Sequence, residues 1–230
     1  APNVRRFLYA SSQTAAGPSS SLDRPVREDD TPQPITTYGE SKIAAEDAVR
    51  ARGKNLPWTI VRPPAMYGPR DTEIFIYFQT IARGLNSMIG FDDKRLSLLH
   101  AEDLVTGSIL AAEAEVSLGE TYFISSEEFY SWPQVGDITA RILGSRFITL
   151  RLPHALVYGV AGVAQFIAGV QKKPATLNIE KARDITQRYW ICDVSKARKD
   201  LGYRQHVGLE EGIRATVEWY RQQGWLKARK

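Results

Sequence analysis

Short apolar runs alternate with longer stretches of mixed polarity along the chain, and this alternation predicts strands and helices in turn. Residues 4–10 are apolar apart from Arg5 and Arg6, and they end at Ser11 and Ser12. Residues 58–62 form a second run, which two prolines stop. Apolar runs of this length that end at turn-forming residues are typical of buried strands. We therefore predict a strand at each of these two positions.

A helix is predicted between the two strands. Residues 13–36 are rich in serine, proline, aspartate and threonine, which indicates a loop. Thr37 and Glu40 then have the spacing of a capping box, which predicts a helix that begins at Tyr38 and ends at Gly53. A strand, a helix and a second strand in this order form a βαβ unit, which implies a parallel sheet.

The alternation continues to the end of the chain, without an internal repeat. Further helices are predicted over residues 73–83, 101–114, 131–143, 194–201 and 209–223, and further strands over residues 120–124 and 147–150. Because helices and strands alternate throughout, the predicted fold class is α/β.

One apolar stretch fits none of these elements. Residues 152–171 carry no charged side chain, and the stretch is long enough to cross a bilayer. Pro153, His154, Gln165 and three glycines interrupt it and weaken that interpretation. We favour a buried or lid helix of a substrate lobe. Contact with a membrane surface is the first alternative, and a true membrane span is the second.

The composition is that of a globular protein: of 230 residues, 43% are apolar and 24% are charged. The net charge of +4 comes from residues spread along the chain and from a basic end with Lys227, Arg229 and Lys230. We see no clustered basic face and predict no nucleic-acid binding. The single cysteine, Cys192, excludes an internal disulfide and fits a reducing compartment, so we expect a cytoplasmic protein. We expect that cysteine to be buried and inert, and we predict no metal site.

The pair Tyr38 and Lys42 carries the clearest chemistry. The two residues are four apart on the predicted helix and therefore share one face. A free phenol is a poor base at neutral pH, and a nearby ammonium group favours the phenolate form. A phenol activated in this way suits proton transfer to or from a substrate hydroxyl group. The spacing alone is weak evidence, because the chain contains ten tyrosines.

The context of this pair strengthens the interpretation. In open parallel sheets, ligands bind beyond the carboxyl ends of the strands. Ser11 and Ser12 lie at one such end, Pro63 lies at another, and Tyr38 opens the helix that joins the two strands. A crossover helix begins near the carboxyl end of the strand before it. We therefore expect these residues to converge at one rim of the sheet.

Five stretches in the right order match a known family. They are residues 7–12, 38–42, 62–70, 100–104, and 193–203 with the following 209–214. Together they resemble the extended short-chain dehydrogenases/reductases, the NAD-dependent epimerase/dehydratase group. The resemblance implies the C-terminal part of a Rossmann-like, doubly wound parallel sheet with a small, mostly helical substrate lobe. It places the catalytic part of the main domain in residues 1–115, and the lobe, with interleaved returns to the main domain, in residues 116–230.

The resemblance also implies an enzyme that uses NAD or NADP, and it assigns roles. Tyr38 would be the general acid/base. Lys42 would activate that phenol and hydrogen-bond the nicotinamide ribose. Ser12, rather than Ser11, would hold the hydroxyl or carbonyl group of the substrate.

Further contacts are implied at the same rim. Ser11 and Pro63 would bind the cofactor, Pro63 through its backbone, although a plain strand terminator is the alternative for Pro63. Thr14 and Arg62 are the further candidate substrate contacts. His100 is expected to be a structural histidine at a helix start.

The loop that should hold the cofactor's pyrophosphate is missing from this sequence. No Gly-x-Gly-x-x-Gly or Gly-x-x-Gly-x-x-Gly loop occurs in the 230 residues. The family carries it, with the residue that selects NAD or NADP, in about three βα units that would precede Val4. Because the chain begins with alanine, we expect either a processed protein whose cleaved N-terminal half stays associated, or a truncated one that could be inactive.

Three functions stay open. The first is an oxidoreductase for an apolar secondary alcohol or ketone, as in the 3β-hydroxysteroid dehydrogenase-like branch. The apolar run 152–171 favours it, and so does Leu96, because nucleotide-sugar members often carry an arginine there to grip a diphosphate. The second is a nucleotide-sugar epimerase or dehydratase, and the third is a non-catalytic binding protein. A homodimer through helices 38–52 and 73–83 is expected from the resemblance.

Overall fold

The computed structural model describes residues 4–53, 56–171 and 177–226, and it confirms the α/β class. The basic end, residues 227–230, lies outside the described residues. The strands are β1 (Phe7–Ala10), β2 (Trp58–Arg62), β3 (Ala65–Tyr67), β4 (Leu85–Ile89), β5 (Arg95–Leu96), β6 (Leu98–His100), β7 (Thr121–Phe123), β8 (Tyr130–Ser131), β9 (Ile148–Leu152) and β10 (Tyr189–Trp190). The helices are α1 (Gln13–Ala16), α2 (Thr37–Ala51), α3 (Glu73–Ala82), α4 (Ala101–Glu113), α5 (Trp132–Leu143), α6 (His154–Gln171), α7 (Ile179–Thr186), α8 (Ser195–Leu201) and α9 (Leu209–Gln222).

A parallel sheet in the order β1-β2-β7 forms the centre of the fold. Tyr9 pairs with Ile60, and Ile60 pairs with Thr121. The middle strand, β2, is buried along its length after Trp58. Since α2 connects the parallel strands β1 and β2, the predicted βαβ unit is confirmed, and both strands end at the same edge of the sheet.

Shorter strand pairs build a second region, here called the lobe, beside this sheet. β4 pairs with β9 in parallel, and β5 lies between β10 and β8. The rings of Phe75, Tyr220 and Trp225 pack α3 against α9 and the residues that follow it. This aromatic packing holds α3 of the lobe against α9, near the C-terminal end of the chain.

The start of α2 differs from the prediction by one residue. Thr36, and not Thr37, caps the helix, because Thr36 has the extended backbone that a cap needs and its Oγ1 accepts a hydrogen bond from Gly39 N at 3.1 Å. Thr37 instead contacts α7: its backbone N donates to Glu180 Oε1 at 3.1 Å, and its hydroxyl donates to the same oxygen. Helix α7 is therefore anchored on the first turn of α2.

The sequence does not predict several short elements. Strands β3, β5, β6, β8 and β10 have two or three residues each, which is too short to show a period. Helix α1 is a single turn inside the predicted loop 13–36. Helix α7 is longer, but half of its eight residues are charged, so its apolar stripe is narrow.

Helix α6 lies on the surface of the lobe. Val157 and Ala161 are its buried residues, and they pack against Ala182 of α7. The sequence predicts a buried or lid helix of the lobe. Only 11% of its eighteen residues are buried, so a buried helix is wrong, because packing on α7 covers one narrow face, whereas a lid helix stays a prediction. Among the helices of the described ranges, α6 alone is long and apolar enough to cross a membrane, by length and composition.

Acidic residues in the family-like stretches hold loops in place. Asp103, buried in the first turn of α4, accepts hydrogen bonds from the backbone N of His206 at 2.8 Å and of Val207 at 3.1 Å. Asp193 Oδ1 accepts a hydrogen bond from Ser195 N at 2.7 Å. These bonds fix the segments that lead into α9 and α8.

Candidate active site

Ser12 lies at the turn from β1 into α1 and caps that helix. Its Oγ accepts hydrogen bonds from Thr14 N at 3.2 Å and from Thr14 Oγ1 at 2.9 Å. A hydroxyl oxygen has two acceptor lone pairs and one proton to donate. Because both lone pairs are used, the Ser12 proton stays available for an oxygen atom of a ligand.

Tyr38 and Lys42 share one face of α2, next to the end of β1. Lys42 Nζ donates to the carbonyl oxygen of Ala10 at 3.0 Å. The same nitrogen lies 5.6 Å from the centroid of the Tyr38 ring and 5.4 Å from that of Tyr9. Tyr38 itself is 54% exposed. The structure thus brings this predicted pair together at the rim, with the ammonium group fixed by the strand end.

Gly39 sets the distance between α2 and α1. It is buried, and a Cβ in its place would collide with the carbonyl oxygen of Thr14 and lie 2.9 Å from Pro34 Cβ. Only a residue without a side chain allows this approach. Tyr38, one residue earlier, is therefore held beside the turn that carries Ser12 and Thr14.

A buried carboxylate lies beneath the rim and gathers three donors. Arg62 donates from Nε to Glu46 Oε1 at 2.9 Å and from Nη2 to Oε2 at 2.7 Å. Ser11 Oγ donates to Oε1 at 2.6 Å, and Arg50 reaches Oε2 at 2.7 Å. Burial alone would raise the pKa of Glu46, but the hydrogen bonds and charge of Arg62, with the hydrogen bonds of Ser11 and Arg50, outweigh it and lower the pKa.

Glu46 holds the side chains of two residues that were predicted to contact a ligand, Ser11 and Arg62. The hydroxyl of Ser11 and the guanidinium of Arg62 both point to Glu46, and the two residues are 4% and 1% exposed. The structure does not bring either side chain to the cavity described below. Both act here as supports of the rim.

Two prolines follow β2 at the same edge. The carbonyl oxygen of Pro63 accepts a hydrogen bond from Gln13 N at 2.8 Å, and Ser11 N donates to Val61 O at 2.8 Å. These bonds tie the turn after β1 to the end of β2. Pro64, the residue after the predicted Pro63, lines the cavity.

A cavity of about 440 Å³ lies between this rim and the lobe. Ser12, Gln13 and Thr14 form its wall on the rim side. Its apolar wall is formed by Met88, Ile89, Leu96, Trp132, Ile185 and Trp190. Tyr38 and Lys42 are outside this lining as far as the described residues define it. The space is mainly apolar and large enough for part of a small-molecule substrate.

The cations of the cavity wall already have partners. Lys94 Nζ donates to the carbonyl oxygens of Thr186 at 2.6 Å and Gln187 at 2.9 Å. Arg95 Nη2 lies 2.8 Å from Asp93 Oδ2. Lys94 would have to give up these bonds to meet an anionic ligand, and the charge of Arg95 is already balanced by Asp93.

Two other polar residues of the wall were not expected from the sequence. Gln13 is 2% exposed, and its Nε2 has no hydrogen-bond partner among the described residues. Burial raises the pKa of Asp184, against an opposing effect from Lys181. The position of Gln13 beside Ser12 is a signal that could have revealed it, whereas no motif marks Asp184. Within the described ranges, no three His, Cys, Asp or Glu side chains are grouped to hold a metal ion.

His100 and Cys192 are structural, as predicted. His100 caps α4 through Nδ1, which accepts from Glu102 N at 3.4 Å, and its ring packs edge-on against Tyr67. Burial lowers the pKa of His100 although Glu102 and Asp103 oppose this, so the neutral ring is favoured. Cys192 is 1% exposed, and burial raises the pKa of its thiol, so it stays protonated.

The parallel central sheet, its crossover helix and a site at the strand ends define a Rossmann-like protein. The model of the NAD dependent epimerase/dehydratase family matches residues 1–133, and the chain belongs to this family. The family predicted from the sequence is therefore confirmed, and its members are NAD-dependent enzymes.

Two relatives show how this chain compares in sequence. It is 30% identical to ceramide reductase of Caulobacter vibrioides over 222 residues, which cover 96% of this chain and 64% of that protein. It is 29% identical to the decarboxylating sterol-4-alpha-carboxylate 3-dehydrogenase of Mus musculus over 201 residues, 81% of this chain and 55% of that protein. The chain thus spans less than two thirds of the length of these curated relatives.

Solved structures share the fold. Gox2253 aligns with a TM-score of 0.76 at 26% identity, over 97% of this chain and 68% of the gox2253 chain. UDP-glucuronic acid 4-epimerase from Bacillus cereus, in complex with NAD, aligns at 0.72 and 21% identity, over 94% and 60%. RMD from Pseudomonas aeruginosa, complexed with NADPH, aligns at 0.74 and 16% identity, over 95% and 67%. These likenesses confirm the predicted Rossmann-type architecture.

Proposed function

We propose that this chain carries the proton-transfer and substrate-binding part of an NAD(P)-dependent oxidoreductase that interconverts a secondary alcohol and a ketone on an apolar substrate. Family membership supports the proposal. The observation that carries it is the arrangement of Lys42, which is bonded to the end of β1 with the Tyr38 ring beside it. This arrangement places a phenol and an ammonium group at the rim where Ser12 offers a proton.

The residues at the rim fit the nicotinamide end of NAD or NADP. Lys42 uses one of its three N–H donors on Ala10, and the other two suit the neighbouring hydroxyls of a ribose. When bound, the cofactor supplies or accepts the hydride. The pyrophosphate loop is not in this sequence. We propose that a further segment carries it and pairs with β1, which is an edge strand of the described sheet and exposes Phe7.

Ser12 and Tyr38 would have different roles at the oxygen atom of the substrate. The free hydroxyl proton of Ser12 would hold the oxygen atom of the substrate. During reduction the Tyr38 phenol would give its proton to that oxygen, and during oxidation the phenolate would take it back. Lys42 would stabilise the phenolate in both directions. One hydride and one proton are thus exchanged in each turnover.

The cavity supports an apolar substrate. Its aliphatic and indole side chains favour a chain or ring without charge, and its two cations are already partnered by backbone carbonyls and Asp93. Leu96, where nucleotide-sugar enzymes of the family often have arginine, is 5% exposed in this wall. Two of the relatives are named for ceramide and for a sterol carboxylate, which are lipids. The proposed substrate is therefore a lipid alcohol or ketone.

A nucleotide-sugar epimerase or dehydratase is the second candidate. Lys94 and Arg95 favour it, because they would bind a diphosphate if Asp93 and the carbonyl oxygens released them. Titration calorimetry with UDP-glucuronic acid separates the two. We expect a Kd weaker than about 1 mM. A tighter Kd would favour the second candidate.

The homodimer through α2 and α3 stays a proposal. Ala44 and Ala48 are exposed on α2, so its outer face is flat enough for a second helix. Light scattering at several protein concentrations tests it.

The test of the reaction compares two tyrosines that flank the same ammonium group. In a form of the protein that binds NADH or NADPH, Tyr38→Phe should lower kcat for a long-chain ketone by about 10²-fold or more. Tyr9→Phe is the matched control, since its ring also lies beside Lys42 but belongs to β1. Equal activity of Tyr38→Phe and wild type would overturn the assignment. If wild type turns over no ketone but binds nucleotide, the non-catalytic alternative holds.

A further inference from the structure

Helix α6 presents an apolar stripe to solvent. The stripe consists of Leu156, Val160, Val163, Ile167 and Val170, at alternating spacings of three and four residues, with Phe166 beside it. These side chains are between 47% and 74% exposed. The buried residues Val157 and Ala161 lie about 100–140° around the helix from the centre of the stripe. A stripe of this length that no described element covers marks an interaction surface.

The charged residues next to α6 along the sequence have one sign. Residues 138–179 contain no aspartate or glutamate. Their five cations are Arg141, Arg146, Arg151, Lys172 and Lys173, of which the two lysines lie outside the described residues. Arg146 and Arg151 are exposed just before the helix, whereas Arg141 is paired with Glu210. An apolar stripe with flanking cations and no acids complements an anionic lipid surface.

The carboxylates close to α6 in space lie away from the stripe. Glu180 and Asp184 belong to α7, which packs on the buried side of α6, and Asp92 lies near the start of the helix. Asp92 Oδ1 is 3.6 Å from His154 Nε2. His154 precedes Val157 and Ala161 by three and seven residues, so it shares their side of the helix. Asp92 therefore does not oppose contact between the stripe and an anionic surface.

Helix α6 adjoins the cavity through its buried side, and not through the stripe. The buried side of α6 packs in one cluster with Ile89 and Ile185, and both of these residues line the cavity. The helix is tied to the lobe at a second point, where Gln165 Oε1 accepts a hydrogen bond from Ile179 N at 3.1 Å. A helix held in this way can lie on a membrane but cannot cross one without breaking its contacts with α7.

We propose that α6 docks this protein on the surface of an anionic lipid bilayer. The helix lies in the plane of the interface, with the stripe in the acyl region and Arg146 and Arg151 at the phosphate groups. The proposal rests on the helix and on the two arginines that precede it, and it does not depend on the reaction proposed above.

Vesicle sedimentation of the full chain tests the proposal. We expect the protein to sediment with vesicles of phosphatidylglycerol and phosphatidylcholine in equal parts, and less with phosphatidylcholine alone. Val163→Glu with Phe166→Glu should weaken binding about tenfold or more, since two charges would enter the apolar region. The control pair is Val105→Glu with Ile109→Glu, which changes two similarly exposed side chains of α4. Circular dichroism verifies that both pairs fold.

Three results would overturn the proposal. The first is the absence of wild-type protein from the sedimented vesicles of both compositions. The second is equal binding by the α6 pair and the α4 pair. The third is a dimer in light scattering that the α6 pair alone dissociates while vesicles stay unbound, which would make a second copy of the chain the occupant of the stripe.

Discussion

Glu46 and Arg62 form a buried two-point ion pair that joins the middle of α2 to the end of β2. Their side chains are 0% and 2% exposed. Since α2 carries Tyr38 and Lys42, and β2 leads into Pro63, this pair fixes the helix against the strand ends. The geometry of the candidate site therefore depends on two residues that do not line the cavity.

Removal of the Glu46 charge should destabilise the fold strongly. Glu46→Gln leaves the buried guanidinium of Arg62 without a counter-charge, and breaking a buried pair in this way costs about 3–5 kcal/mol. Asp47→Asn is the matched control: it removes a neighbouring carboxylate that is 67% exposed and that pairs, among the described residues, only with Arg50, so we expect a loss of about 1 kcal/mol or less. Urea unfolding measures both. Equal effects would contradict a special role for Glu46.

Acid should remove the same stabilisation. Because the folded state lowers the pKa of Glu46 from the ordinary 4.5, its contribution is complete above that pH and is lost as the pH falls through the lower, folded value. The free energy of unfolding of wild type should therefore fall more steeply below pH 4.5 than that of Glu46→Gln. Urea midpoints between neutral pH and pH 3 give the comparison, and parallel curves would show that other carboxylates dominate.

Gly39→Ala should disturb the site and the fold together. The new methyl group would meet the carbonyl oxygen of Thr14, and the backbone shift that relieves this clash costs about 1–3 kcal/mol. The same shift would move Tyr38 away from Ser12, so kcat should fall while the affinity for substrate changes less. Gly159→Ala in α6 is the control, because its Cβ would enter open space. Thermal unfolding and steady-state kinetics test the pair.

Ser12→Ala should lower kcat/KM by about 10²- to 10³-fold, the usual effect of losing one donor to a reacting oxygen. The change also removes the cap of α1, which by itself costs about 1 kcal/mol of stability. Ser131→Ala removes a comparable cap from α5, where Ser131 Oγ accepts from Gln134 N at 3.3 Å, and should leave turnover unchanged. If both variants lose activity alike, the role of Ser12 is to cap the helix.

Much of the fold could be predicted from the sequence because its longer elements carry clear signals. Strand β2 is a mainly apolar run stopped by prolines, and α5 begins with a serine cap and ends at Gly144 in the left-handed conformation. Tertiary pairing fixes the remaining elements. Strands of two residues, such as β5 and β10, form because neighbouring strands provide backbone hydrogen-bond partners. No local sequence pattern indicates which segments will be neighbours.

The sequence predicts the site residues that are close to one another along the chain, but not those that only the fold brings to the site. Ser12 and Thr14 are neighbours in sequence, and Tyr38 and Lys42 are one helical turn apart. Glu46, the partner of Arg62, could not be predicted in this way. Glutamate is usually exposed to solvent, and only the packing of α2 on β2 shows that Glu46 is buried beneath the rim. Asp184 reaches the cavity through the position of α7, which the sequence does not predict.

The anchor between Thr37 and Glu180 links parts of the chain that are 143 residues apart. Arg183 reinforces it with a hydrogen bond to the carbonyl oxygen of Ile35 at 3.1 Å. Because the same helix lines the cavity through Asp184 and Ile185, a molecule that displaces α7 also pulls on the turn that bears the phenol. If Tyr38 is the proton donor, as proposed, the fit of a substrate in the cavity and the alignment of that donor are therefore coupled. A poorly fitting substrate would lose turnover even when it is bound tightly.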